Sequence, residues 1–109
     1  MLNLFQHQLA TDMQRGGCVY ILTSFRNDVL YIGVTSELFF RVRKHREKLY
    51  PKSFTSKYNV FKLVYFKQFS SIEEAILEEK RLKNWHRQWK INLINTFNPN
   101  WADLFYSIE

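Results

Sequence analysis

Cys18-Val19-Tyr20-Ile21-Leu22-Thr23-Ser24-Phe25 runs into Arg26-Asn27-Asp28 and then into Val29-Leu30-Tyr31-Ile32-Gly33-Val34, and the reading of this stretch decides the fold. The first run is continuously apolar or β-branched, which suits a strand buried on both faces. Arg26-Asn27-Asp28 is turn chemistry. The second run is a shorter strand, so the pair reads as an antiparallel hairpin. Gly33 falls where the backbone must pass closely or take a positive φ. Tyr20 and Tyr31 are 11 positions apart, a spacing that can bring two phenols to one end of a sheet.

Working outward, Thr35 or Ser36 can cap a helix over about 37–49, with Glu37 in its first turn. Leu38, Val42, His45 and Leu49 share one face of it, and Pro51 closes it. Residues 52–59 read as a polar, basic loop, and 60–69 as a third strand whose lysines suggest partial exposure. Ser71-Ile72-Glu73-Glu74 has the form of a capping box. It opens a long helix over 72–95, bent near Trp85-His86. Asn98-Pro99 predicts one more helix, with Asn as cap and Pro at the first position; Trp101, Leu104, Phe105 and Ile108 then fall on one packed face. The order strand–strand–helix–strand–helix–helix is a small α+β domain, a three-stranded antiparallel sheet flanked by helices, over residues 17–109. Residues 1–16 read as a leader with only a weak apolar set (Leu2, Leu4, Phe5, Leu9), and Met13 is the expected translation start.

A chain of 109 residues has room for one domain, and 46% hydrophobic content supplies one core. The 17% aromatic fraction argues against disorder. The net charge of +6 favours a polyanion, nucleic acid before an anionic membrane. Its distribution says more than its total. Arg41, Arg43, Lys44, Arg46, Lys48, Lys52 and Lys57 stand against Glu47 alone, so 41–57 carries a local +6, equal to the whole chain. Lys80, Arg81, Lys83, Arg87 and Lys90 form a second basic stretch. Concentration of this kind favours a binding face. Cys18 is the single cysteine, which excludes an intrachain disulfide and fits a reducing cytoplasm. No apolar run approaches a membrane span and no signal-peptide pattern is present.

Several side chains could carry chemistry. Ile72, Ala75, Ile76, Glu79 and Leu82 share one helical stripe, and a carboxylate facing the domain body needs a partner or a cation. Glu79 is therefore either half of a salt bridge, for instance to Arg41, or a metal ligand of the oxygen kind that suits Mg²⁺. His45 is either a satisfied core histidine or a site residue one turn beyond Arg41. Arg41 is either a solvated helix arginine or a phosphate clamp with a planar fork. The tyrosines are either plain strand aromatics or site groups; as bases they need a cation to favour the phenolate, or else His45 is the base. Asn98 is most economically a helix cap, and Trp85, Trp89 and Trp101 are helix-packing groups rather than base-stacking ones.

Taken together these positions resemble the GIY-YIG endonuclease superfamily, in particular its small stand-alone bacterial members. The matching residues are Val19-Tyr20-Ile21, Tyr31-Ile32-Gly33-Val34-Thr35, Arg41, His45, Phe54-Thr55, Lys57-Tyr58-Asn59, Glu79-Lys80, Leu82-Lys83, Trp85, Asn98-Pro99, Trp101 and Asp103-Leu104, across about 17–106. The resemblance implies that Tyr20, Tyr31, Arg41, His45 and Glu79 are catalytic. One of the tyrosines would act as base or orient water, Arg41 would stabilise phosphate charge, and His45 would assist proton transfer or bind phosphate. Glu79 would hold a single Mg²⁺ or Mn²⁺. Arg43, Lys44, Lys52, Lys57, Lys83 and Asn98 are the expected substrate-binding residues, with Asn100 the other candidate for the late asparagine. Two departures matter: Val19 stands where the name motif has glycine, and Val34 where some relatives carry a lysine that aids phenolate formation.

The expected function is a metal-dependent endonuclease on DNA, in repair, recombination or processing. Such a chain works as a monomer or weak dimer without a membrane, and a protein partner is the route to any strong specificity, since no separate sequence-reading module is visible. The alternatives are a DNA-binding module of the same fold with feeble or no activity, and a partner-docking protein using its aromatic C-terminal helix.

Overall fold

A computed structural model of the chain describes residues 16–48 and 52–108. The leader up to Arg15, the expected start at Met13, and the positions Leu49 and Pro51 lie outside the described residues. Three strands, β1 (Gly17–Thr23), β2 (Leu30–Thr35) and β3 (Lys62–Phe69), pair antiparallel in the order β2-β1-β3. The central place of β1 explains its unbroken apolar run: all of its residues are buried, whereas an edge strand would alternate. The turn into β2 has Asn27 in the left-handed region at φ 59°, a conformation asparagine tolerates. The Asn27 N–H donates to the Ser24 carbonyl at 2.9 Å, and the Ser24 hydroxyl meets the Asp28 carboxylate.

Among the described residues five helices surround the sheet: α1 (Leu38–Arg46), α2 (Phe54–Lys57), α3 (Ile72–Lys83), α4 (Arg87–Phe97) and α5 (Phe105–Ile108). Helix α1 is shorter than the expected 37–49 and has no side-chain cap; the Glu37 N–H donates instead to Thr35 Oγ1 at 3.0 Å. Helix α2 lies within the stretch read as loop. Ser53 makes it, accepting from the Ser56 N–H at 3.2 Å, a local cap that a single turn needs. The cap at Ser71 is as expected, accepting from the Glu74 N–H at 3.2 Å. The single long helix over 72–95 is two, because Asn84 ends α3 and His86, at ψ 147°, restarts the chain as α4. The break lets α3 lie on β1 and β2 while α4 lies on β3.

The expected helix start at Asn98-Pro99 is corrected. Asn98 ends α4, and its side chain closes a turn. Nδ2 donates to the carbonyls of Val64 (3.2 Å) and Ala102 (2.8 Å), and Oδ1 accepts from the Ala102 N–H (3.2 Å). Trp101 follows at φ 51°, outside any helix. The last helix begins at Phe105, where Asp103 Oδ1 accepts from the Phe105 N–H at 3.1 Å.

Strand alternation divides the core into two layers. Cys18, Tyr20 and Leu22 point to one face, where they meet Leu38 and Val42 of α1 and Phe105 and Ile108 of α5. Val19 and Ile21 point to the other, against Ala75 and Leu82 of α3 and Ile94 of α4. Trp101 packs with this second layer, while Leu104 packs with the first, so the four residues expected on one helical face divide between the two sides of the sheet.

Candidate active site

Strand register sets the two tyrosines. Leu22 pairs with Tyr31 and Tyr20 with Gly33, so the phenols are diagonal neighbours on the face toward α1. Their ring centroids are 6.2 Å apart. Gly33 is required by close approach, not by a positive φ: no described glycine has one. A Cβ built at Gly33 would overlap the Tyr20 ring, at 2.8 Å from Cε1 and closer still to Cζ and the hydroxyl oxygen. Tyr20 lies in the space that a side chain at Gly33 would take.

Helices α1 and α2 complete the group. β2 passes directly into α1, so Arg41 and His45, one turn apart, reach the face that carries the tyrosines. The Tyr20 hydroxyl is 3.1 Å from His45 Nε2, and the Arg41 guanidinium and the Tyr31 phenol are its electrostatic neighbours. His45 Nδ1 is 2.8 Å from Thr55 Oγ1 on α2, and Thr55 Oγ1 is 3.1 Å from Ser53 Oγ. Sequence reasoning missed Thr55 and Ser53 as members of this relay. The available signal was Ser53 three residues before the Ser56 N–H that it caps.

Burial first, then the Arg41 charge, lowers the His45 pKa to about 4, so its imidazole is neutral at pH 7 and has one N–H. The relay then runs in one of two senses: Tyr20 donates to Nε2 while Nδ1–H donates to Thr55, or Thr55 donates to Nδ1 while Nε2–H donates to Tyr20. Burial chiefly, with the neighbouring Tyr31 phenol second, pushes the Tyr20 pKa up, and Arg41 opposes both. Tyr20 is fully buried and protonated at neutral pH; Tyr31 is half-buried and lines a cleft.

Glu79 stands on α3, over the sheet face opposite the phenols, and its side chain is 14% exposed. Its ion-pair partner is Lys83 at 3.3 Å, where Arg41 was the partner expected if the residue were structural. Two clefts run around the edge of β2 and join the faces. One, of about 340 Å³, has Arg41 and Lys44 on one side and Ile72 and Ile76 of α3 on the other. The second, of about 260 Å³, is lined by Tyr31 and Phe54 on one side and by Lys83 and Lys90 on the other. Glu79 is three residues after Ile76 and four before Lys83, so helical spacing sets it on the strip of α3 between the two clefts.

The other expected binding residues divide. Lys44 and Lys83 line the clefts, and Lys57 is exposed at the end of α2. Arg43 lies in a separate depression with Phe39, Arg46 and Phe105, paired with Glu47 at 2.9 Å. Lys52 is exposed ahead of α2. Asn98 is buried, with its amide used in the turn described above. Arg46, counted in the first basic stretch, is structural: it donates to Asp103 at 2.7 Å and to the Phe61 carbonyl at 3.1 Å, stacked over Phe105 at 4.5 Å. Trp89 is 52% exposed and meets Trp85 and His86 edge-on.

Among the described residues there is no group of three or more His, Cys, Asp or Glu able to hold a metal ion, and no helix is long and apolar enough to cross a membrane. A mostly buried carboxylate on the strip of α3 between the two clefts, paired with an exposed lysine, still fits a hard cation that keeps most of its water ligands. No curated protein and no solved structure matches the chain. The family model described as the GIY-YIG catalytic domain matches residues 16–92. That span contains both strand tyrosines, Arg41, His45 and Glu79, and the chain therefore belongs to the GIY-YIG family, a nuclease-type fold.

Proposed function

We propose that this protein is a divalent-metal-dependent endonuclease that hydrolyses DNA phosphodiester bonds, in repair, recombination or processing. The observation that carries the reading is the convergence on the β2 edge of a half-buried phenol (Tyr31), a guanidinium (Arg41) and the carboxylate-bearing strip of α3.

The phosphate enters at Arg41, whose planar fork binds it and offsets the charge that builds in the transition state. Tyr31 faces the attacking water and, as the phenolate, takes its proton; the Lys83 ammonium lines the opposite wall of the same cleft. Tyr20 and neutral His45, themselves fixed by the buried relay to Thr55, pack against the Tyr31 ring with centroids at 6.2 and 5.5 Å. Glu79 would hold Mg²⁺ or Mn²⁺, which when bound supplies Lewis-acid stabilisation of the phosphate oxygens.

The test is incubation of the purified chain with nicked, branched, single-stranded and duplex DNA and either ion. Cleavage of at least one substrate, lost on Glu79→Ala and on Arg41→Ala, is expected; no cleavage of any, or undiminished cleavage by Glu79→Ala, would overturn the proposal. The Glu79–Lys83 ion pair favours a second reading, a DNA-binding module in which Lys83 holds the carboxylate permanently. That reading predicts DNA affinity unaffected by Mg²⁺ and by Glu79→Ala.

A further inference from the structure

A run of aromatic rings leads outward from Tyr31. Tyr31 and Phe54 are stacked, with planes 24° apart and centroids at 6.3 Å; Phe54 and Tyr58 follow at 4.8 Å. Phe54 and Tyr58 are each 46% exposed. The fold does not need these two rings outside: the Ser53 cap and the buried Thr55, bonded to His45, already hold α2. Cations flank the run. Lys57 Nζ is 5.4 Å from the Tyr58 ring centre, and Lys83 and Lys90 line the cleft wall facing Tyr31 and Phe54.

Flat apolar faces between ammonium groups match one ligand chemistry, a nucleotide whose base is free to stack while its phosphates meet the cations. A duplex keeps its bases stacked on one another and offers mainly its backbone. An unpaired strand can lay a base on Phe54 while the adjoining phosphate reaches Tyr31 and Arg41. We infer that Phe54 and Tyr58 form a stacking platform for an unpaired nucleobase next to the scissile phosphate, so that the substrate is DNA that is single-stranded at the cut. The inference rests on the nuclease reading for the direction in which the strand enters. The platform itself is a matter of binding.

Binding therefore tests it, with the full chain in EDTA so that no cleavage intervenes. The probes are a short oligothymidylate, an abasic backbone of the same length, the corresponding duplex, and the oligothymidylate with 2-aminopurine at its central position. The wild-type chain is expected to bind the oligothymidylate about tenfold more tightly than the abasic strand and to quench 2-aminopurine on binding. Phe54→Ala with Tyr58→Ala should remove both the preference and the quenching while leaving abasic affinity unchanged; Phe54→Trp, which keeps a stacking face and controls for folding, should retain both. Equal affinity for thymidylate and abasic strands, or duplex bound more tightly than either, would overturn the platform and leave the nuclease reading standing. No retention of any DNA at low salt would overturn both.

Discussion

Gly33 and Tyr20 show how one missing side chain builds this site. The ring of Tyr20 occupies the volume that a Cβ at Gly33 would fill. Gly33→Ala is expected to push the phenol off His45 and to cost about 1–3 kcal/mol of stability through overpacking. The same displacement should lower cleavage by about a hundredfold, so thermal melts and single-turnover rates read the two effects separately. His45 supplies a second prediction. Its folded pKa, about 4, lies below the ordinary 6.5, so between these values the unfolded chain binds the proton more readily than the folded one. Its contribution to stability is complete above about pH 6.5 and is lost as pH falls toward 4. The Tm of the wild-type chain should drop more steeply over that range than the Tm of His45→Gln, and wild-type kcat/KM should show no limb near pH 6.5. The structure shows His45 as a satisfied buried histidine, bonded to Tyr20 and Thr55.

At the scale of elements, α5 is held by a contact between distant parts of the chain. Arg46 of α1 bonds Asp103, whose other carboxylate oxygen accepts from the N–H groups of Leu63 and Phe105. Asp103→Ala leaves the guanidinium without its carboxylate in a mostly buried position and should cost about 2–3 kcal/mol, read as a lower denaturant midpoint at unchanged ionic conditions. Contacts of this kind also mark the limit of what the sequence reveals. The three strands, the Ser71 cap and the stripe of α3 are legible because period and local capping report them directly. Helix α2 is not, since a single turn has no periodicity; only its Ser53 cap and buried Thr55 define it. Asn98 misleads for a physical reason. A cap and a turn closure use the same side-chain amide, and the choice depends on the Val64 carbonyl, 34 residues away. The break at Asn84–His86 is legible only as a bend near Trp85-His86, because no glycine or proline marks it and the full interruption comes from α3 and α4 lying on different strands.

Over the whole molecule, the +6 charge is divided between structure and recognition. Arg46 holds α5, Arg43 and Arg81 pair along their own helices, and Arg87 donates to the Asp28 carbonyl at 2.6 Å. Arg41, Lys44 and Lys83 line the clefts at the β2 edge, Lys83 also paired with Glu79, and Lys57 is exposed on α2. About four phosphate contacts on a single strand imply a slope of log affinity against log salt of about −2.8, and Lys44→Ala with Lys57→Ala should reduce it by about 1.4; titrations at several salt concentrations read both values. The proposed chemistry requires the carboxylate on one face of the sheet to reach the phenols around the β2 edge, since Glu79 itself lines neither cleft. The sheet ends at β2, and the clefts pass around that edge.

The proposed meeting of Glu79 and Tyr31 at that edge is most directly tested by anomalous diffraction from crystals of the chain soaked in Mn²⁺. A manganese peak bound to the Glu79 carboxylate, with Lys83 displaced from it and the Tyr31 hydroxyl opening on the same solvent-filled cleft, is the expected result. Manganese absent from Glu79 while the ion saturates other carboxylates, or bound there with the tyrosines walled off behind β2, would contradict it.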